Sequence, residues 1–108
     1  MADFVLIYRT PIAVAQSRSE AENYTASSDH LAAWQAWFSE MGASVTGPGS
    51  PAFARSTLGE TGPDTALAGY TIITADDLDA AVALARGCPV LHQGGGVEVG
   101  ELTTVTTT

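Results

Sequence analysis

Apolar positions along the chain fall into three kinds of run, and each predicts a different element. Phe4 to Tyr8 (FVLIY) is apolar without interruption. A strand with one wet face alternates apolar and polar residues, so an unbroken run of this length predicts a strand buried on both faces. Arg9 and Thr10-Pro11 end it, because Pro11 has no N–H for a ladder and biases Thr10 away from helix. Residues 12 to 27 are small, polar and weakly periodic, with Ser17, Ser19, Asn23, Ser27 and Ser28 as candidate caps. They read as a loop with room for one helical turn. From Ser28-Asp29 to Met41 the period becomes helical, with Leu31, Trp34, Phe38 and Met41 three and four apart and Trp37 widening the same face. Gly42 closes this helix as a C-terminal cap. Each large side chain buried from it contributes about 1.5–3 kcal/mol, so the stripe is assigned to the core, with one of the tryptophans available to floor a ligand cleft.

The second half begins with a short strand, Ala43 to Thr46, followed by turn chemistry from Gly47 to Pro51. Ala54 to Leu58 has the pattern of another short strand, and Gly59 to Asp64 that of a second turn cluster. These pieces fit either a hairpin arm or an irregular loop over the mouth of the sheet. Gly69 to Thr74 alternates branched residues as a strand does. It leads into a helix with Asp76 as N-cap, Asp77 and Asp79 in the first turn, and Leu78, Ala81, Val82 and Ala85 as the buried stripe. Arg86 fits the last turn, Gly87 a left-handed stop, and Pro89 prevents continuation. Val97 to Leu102 is the final strand, with Val97 and Val99 on one face and Glu98 on the other. Thr103 to Thr108 is a threonine-rich tail, either a strand extension or disordered. The order β, α, β, arm, β, α, β is that of a ferredoxin-like α+β sandwich, and 108 residues make one domain, 1–108. Helices cover only one face of such a sheet, so the doubly buried first strand calls for a second sheet over the other face.

Charge narrows the partners. Four arginines and no lysine stand against twelve acidic residues, a net charge of −8. A nucleic-acid backbone is repelled by that field unless Arg9, Arg18, Arg55 and Arg86 converge, so no nucleic-acid partner is expected. A single cysteine, Cys88, excludes an internal disulfide and suits a reducing compartment. No apolar run is long enough to span a bilayer and the N-terminus has no secretory pattern, which predicts a cytoplasmic protein with no membrane partner.

Few residues carry chemistry. The three aspartates around Leu78 are accounted for by capping and the helix dipole. Gly94-Gly95-Gly96 is followed by a strand rather than a helix, and the chain has no lysine, so it is a turn or bulge and not a phosphate loop. Two histidines, His30 and His92, and one cysteine have no ligand spacing, so neither metal nor cofactor is expected. His30 lies in the first turn of the long helix, where the dipole disfavours its charged form and leaves a neutral ring able to accept a proton. Tyr8 and Arg9, at the end of the first strand, are placed to face a cleft between sheet and helix, Arg9 being the better anion binder.

The stretch GYTIITADDLDAAVALARGCPVLHQGGGVEVGEL, Gly69 to Leu102, together with the His30-Leu31 pair at a helix start, resembles the YCII-related proteins and their DGPF-domain relatives. That resemblance implies a homodimer in which two ferredoxin-like protomers form an α/β barrel. It also implies a small-molecule site in the cleft, near Tyr8, Arg9, His30, Trp34 and Cys88. His30 matches the histidine of the family's histidine–aspartate pair. The aspartate, which precedes a proline, is replaced by Cys88 in Cys88-Pro89, so the carboxylate-based reaction does not carry over. A Cys88–His30 nucleophile and base is the substitute to consider. Against it, the negative end of the helix dipole raises a thiol pKa, which favours a buried, inert cysteine. The alternative function is a non-catalytic interaction or sensor module associated with transcription regulators. A monooxygenase-like activity rests on fold analogy alone.

Overall fold

The computed structural model describes residues 1–20 and 27–106. Strand β1 (Ala2–Pro11) leads into helix α1 (Ile12–Glu20), then helix α2 (Ser28–Met41), strand β2 (Val45–Pro51), strand β3 (Thr65–Ala75), helix α3 (Leu78–Ala85) and strand β4 (Gly96–Glu101). The four strands form one antiparallel sheet in the order β2-β3-β1-β4. This mixed α+β arrangement is consistent with the ferredoxin-like fold expected from the sequence. No helix among the described residues is long and apolar enough to cross a membrane.

The centre of the sheet is the pair β1 and β3, in which Phe4 lies opposite Ile73 and Leu6 opposite Thr71. All four side chains are fully buried. They face the helices, where Trp37, Met41, Ala81 and Ala85 close the core. Within one chain, Phe4–Tyr8 is not buried on both faces. Its burial alternates, and Val5 and Ile7 are only half-buried. The unbroken apolar run therefore belongs to a strand whose second face is left for another cover.

Other expectations are corrected. Residues 12 to 20 form a helix rather than a loop. Ala13, Ala15, Gln16, Arg18 and Glu20 are good helix formers, and with Ala15 the one buried residue there is almost no periodicity to read. The candidate cap Asn23 lies outside the described residues. The segment expected to turn, Gly47 to Pro51, is instead most of β2, and its registers against β3 shift twice. An edge strand accommodates Pro48 and Pro51 because its outer N–H groups need no partner. The chain from Gly42 to Ser44 is a 3-10 turn, which delays β2 to Val45. Ala54–Leu58 is not a strand; only Ala52 and Ala54 reach β3, donating N–H bonds to the carbonyls of Ala68 and Leu67.

In α3 the N-cap is Asp77, not Asp76, its carboxylate accepting from the Ala80 N–H at 2.8 Å. The helix consequently starts at Leu78, which is exposed, while Leu84 joins Ala81 and Ala85 against the core. Gly87 does not adopt the left-handed conformation. It is required for space: a Cβ there would stand 2.9 Å from Cδ1 of Trp37. The indole lies against this bare backbone and donates from Nε1 to the Leu84 carbonyl at 2.9 Å, tying α2 to α3. Gly42 does terminate α2 with φ 52°, its N–H bonding the Phe38 carbonyl. After β4, Leu102–Thr106 is exposed and has no regular structure.

Candidate functional site

Helix α2 divides its aromatic residues between two environments. Trp37 and Met41 are buried, whereas Trp34 and Phe38 are half-buried and Leu31 is exposed. Leu31, Trp34 and Phe38 instead line a cavity of about 340 Å³ between α2 and the sheet. Its floor is Tyr8, against which Trp34 packs edge-on with ring centroids 4.9 Å apart and planes at 77°. Trp34 in turn meets Trp37 at 5.6 Å and 73°. The Trp34 indole Nε1 is buried and has no hydrogen-bond partner among the described residues. The remaining wall comes from Thr10, from Ala68, Tyr70 and Thr71 of β3, the β2 segment Pro48–Pro51, Phe53, Arg18 of α1, His30 of α2, and Val90 and Gln93 from the turn before β4.

The polar groups have specific partners. Tyr8 donates its phenol proton to Thr71 Oγ1, and Thr71 Oγ1 donates to the Pro48 carbonyl at 3.0 Å. Burial pushes the Tyr8 pKa well above its ordinary value, the Thr71 bond offsetting only part of this. Tyr8 is therefore a neutral phenol whose proton is already committed. His30 is placed by its own helix start, where its N–H bonds Ser27 Oγ at 3.1 Å. Its ring Nδ1 is 2.9 Å from the Gln93 side-chain nitrogen. With that amide donating, Nδ1 accepts and Nε2 carries the ring proton, an assignment that follows from the amide's orientation. Burial, and then the charge of Arg18, lower the His30 pKa, so the ring is neutral at pH 7. Arg18 itself lies with its guanidinium carbon 5.3 Å from the Phe53 ring centroid.

Of the five residues singled out in the sequence, the cavity thus brings together Tyr8, His30 and Trp34. Arg9 and Cys88 are not part of its wall. Arg9 follows Tyr8 on β1 and points to the other face of the sheet, as strand alternation requires. There it donates to Thr65 Oγ1 and to the carbonyls of Thr61 and Thr65, and it lies 3.9 Å from a carboxylate oxygen of Glu98. Cys88 is fully buried in the core. Desolvation raises its pKa from 9.0 to about 11, against a smaller lowering by the Val90 backbone. At neutral pH it is a protonated thiol with no route to solvent.

That shift has a sign that can be measured. A thiol harder to ionise folded than unfolded contributes stability that is fully present below pH 9.0 and is lost as pH rises through about 11. Tyr8 is displaced in the same direction and adds to the loss at higher pH. Melting temperatures recorded across this range are expected to fall more steeply for the parent protein than for Cys88→Ala. Parallel curves would show that the thiol is not buried as described.

Sequence reasoning missed Arg18, Phe53, Thr71 and Gln93. The helix propensity of residues 12–20 was the available signal for Arg18. Gln93 reaches His30 across 63 positions of chain, a pairing that no local pattern announces. No group of three or more histidine, cysteine or acidic residues able to hold a metal ion occurs among the described residues.

A family model, the YCII-related domain, matches residues 1–105. The chain belongs to the YCII-related family. The matched YCII-related segment contains the seven strands and α-helices of the described residues and every described residue of the cavity wall. Comparison with curated proteins finds no match for this YCII-related chain, and neither does comparison with solved structures.

Proposed function

We propose that this YCII-related protein is a homodimer that closes into an α/β barrel and binds a small molecule in the cavity between α2 and the sheet. The observation that carries the reading is the cavity itself. A concave space of about 340 Å³, walled by Tyr8, Leu31, Trp34 and Phe38 and edged by Arg18, His30 and Gln93, has the size and the mostly apolar, sparsely polar lining of ligand sites. His30 is the wall residue best suited to exchange a proton with a ligand, since its ring is neutral near pH 7 and only half-buried. Cys88 has a packing role here, beneath the site and not in it.

The dimer is supported by the uncovered face of the sheet. Val5 lies opposite Ile72 and Ile7 opposite Tyr70, which makes a contiguous apolar patch on the two central strands. Val5, Ile7 and Ile72 are half-buried and Tyr70 is 42% exposed. A second sheet packed on this patch would complete the barrel.

Native mass spectrometry of the purified protein tests both parts at once. The expected spectrum shows twice the protomer mass carrying a small-molecule adduct, with less adduct on His30→Ala. A single protomer's mass at micromolar concentration would sink the dimer. An empty dimer would favour the interaction or sensor module instead.

A further inference from the structure

We propose that the outer edge of β4 pairs with the β4 strand of a second copy, the two strands running antiparallel with Val99 facing the partner's Val99 across the two-fold axis. This rests on the homodimer proposed above and names the edge at which its two sheets join. In an antiparallel ladder each residue directs its N–H and C=O to the same side, and that side alternates along the strand. Leu102 donates its N–H to the Asp3 carbonyl at 2.9 Å, and from Glu101 back to Gly96 the register of β4 against β1 is unbroken. Gly96, Glu98 and Gly100 therefore turn their backbone groups to β1. Those of Val97, Val99 and Glu101 turn outward, at the end of the sheet, and no backbone group among the described residues bonds them.

Such a row of donors and acceptors is a template for another strand unless something guards it. The opposite edge is guarded: β2 carries Pro48 and Pro51, and its register against β3 shifts twice. β4 has neither a proline nor a register shift. A two-fold contact sets the same strand on both sides, and Val99 is the centre that maps Val97, Val99 and Glu101 onto one another. Every outward N–H then meets an outward carbonyl. In this register Glu98 lies opposite the partner's Gly100, and Glu101 opposite the partner's Val97. Centring the pair on Glu98 or Glu101 would instead oppose like charges, which is destabilising. Arg9, with Nε 3.9 Å from the Glu98 carboxylate, offsets the negative charge that the second strand brings nearer.

Amide hydrogen exchange resolved by NMR, with sedimentation velocity, tests the proposal on the parent protein, E101P and E101A. The parent should sediment as a dimer, and its Val97, Val99 and Glu101 amides should exchange within about 10-fold of the rates of Glu98 and Gly100. Glu101 is exposed and its N–H points away from β1, so proline there is compatible with the fold of the protomer. E101P removes a seam bond from each copy and should weaken the dimer roughly 10- to 100-fold, whereas E101A keeps the N–H and should not weaken it. Unchanged protection of Glu98 and Gly100 in E101P establishes that β4 still pairs with β1. If the parent is a dimer whose Val97, Val99 and Glu101 amides exchange freely, or if E101P dimerises as tightly as the parent, the β4 seam is wrong while the face-to-face dimer stands. If the parent sediments as a monomer at micromolar concentration, both readings fall together.

Discussion

Trp37→Ala is expected to lower the melting temperature by well over 10 °C. Trp37 is 3% exposed and packs on Trp34, on Phe38 at 5.4 Å and on Tyr8 at 6.1 Å. Truncating a buried tryptophan to alanine costs about 3–5 kcal/mol. The bond from Nε1 to the Leu84 carbonyl also disappears, leaving that acceptor at the end of α3 without its partner from α2. Against a total stability of about 5–15 kcal/mol, and at roughly 4–8 °C per kcal/mol for a domain of this size, the shift is large. Trp34→Phe is the contrasting variant. It keeps a ring at the cavity and removes an N–H that has no partner among the described residues, so its melting temperature should stay within a few degrees of the parent. Calorimetric melting of both variants decides the matter: equal losses would mean that the two indoles are not divided between core and cavity.

Gly49→Ala should produce the second large effect, confined mainly to one edge. Gly49 has φ 70°, and a Cβ built there lies 1.8 Å from the Tyr70 carbonyl oxygen and 2.7 Å from its carbon. A side chain in the left-handed region costs about 1–2 kcal/mol, and overpacking adds about 1–3 kcal/mol. The clash is with backbone, so rotating a side chain cannot relieve it; β2 has to move away from β3. Because β2 is an edge strand, it can separate without unfolding the centre of the sheet. Faster hydrogen exchange at β2 amides is expected, together with weaker binding of any cavity ligand, since Pro48–Pro51 forms part of the wall. Exchange equal to the parent's would contradict the pairing of β2 with Tyr70.

The centre of the fold was readable from the chain and its edges were not, for physical reasons. Phe4–Tyr8, Gly69–Thr74 and the α2 stripe carry enough apolar residues to reveal their periods, and all three lie at the sheet centre or on the helix packed over it. Gly47–Pro51 has the composition of a turn, and only its edge position lets it pair as a strand. The α2 stripe was found, with one tryptophan kept available for a cleft, but Leu31 and Phe38 were assigned to the core. Leu31, Trp34, Phe38 and Met41 share a helical face, but that face crosses from core to cavity, and hydrophobicity alone does not distinguish the two. Tyr8, His30 and Trp34 were legible because they sit at strand and helix positions that converge. Arg9 was misplaced by one step of strand alternation, since the sequence does not reveal which parity of β1 faces the helices. Gln93 enters through packing of distant segments, which no local pattern encodes.

The close, nearly perpendicular setting of Trp34 and Trp37, 5.6 Å apart at 73°, has an optical consequence. Two indoles so near and so crossed couple their electronic transitions and give a paired positive and negative circular-dichroism band that neither shows alone. One member of the pair is locked in the core while the other borders the cavity, so a ligand that tilts Trp34 alters the couplet while leaving the backbone signal in place. The protein thereby carries a label-free gauge of cavity occupancy in its own chromophores.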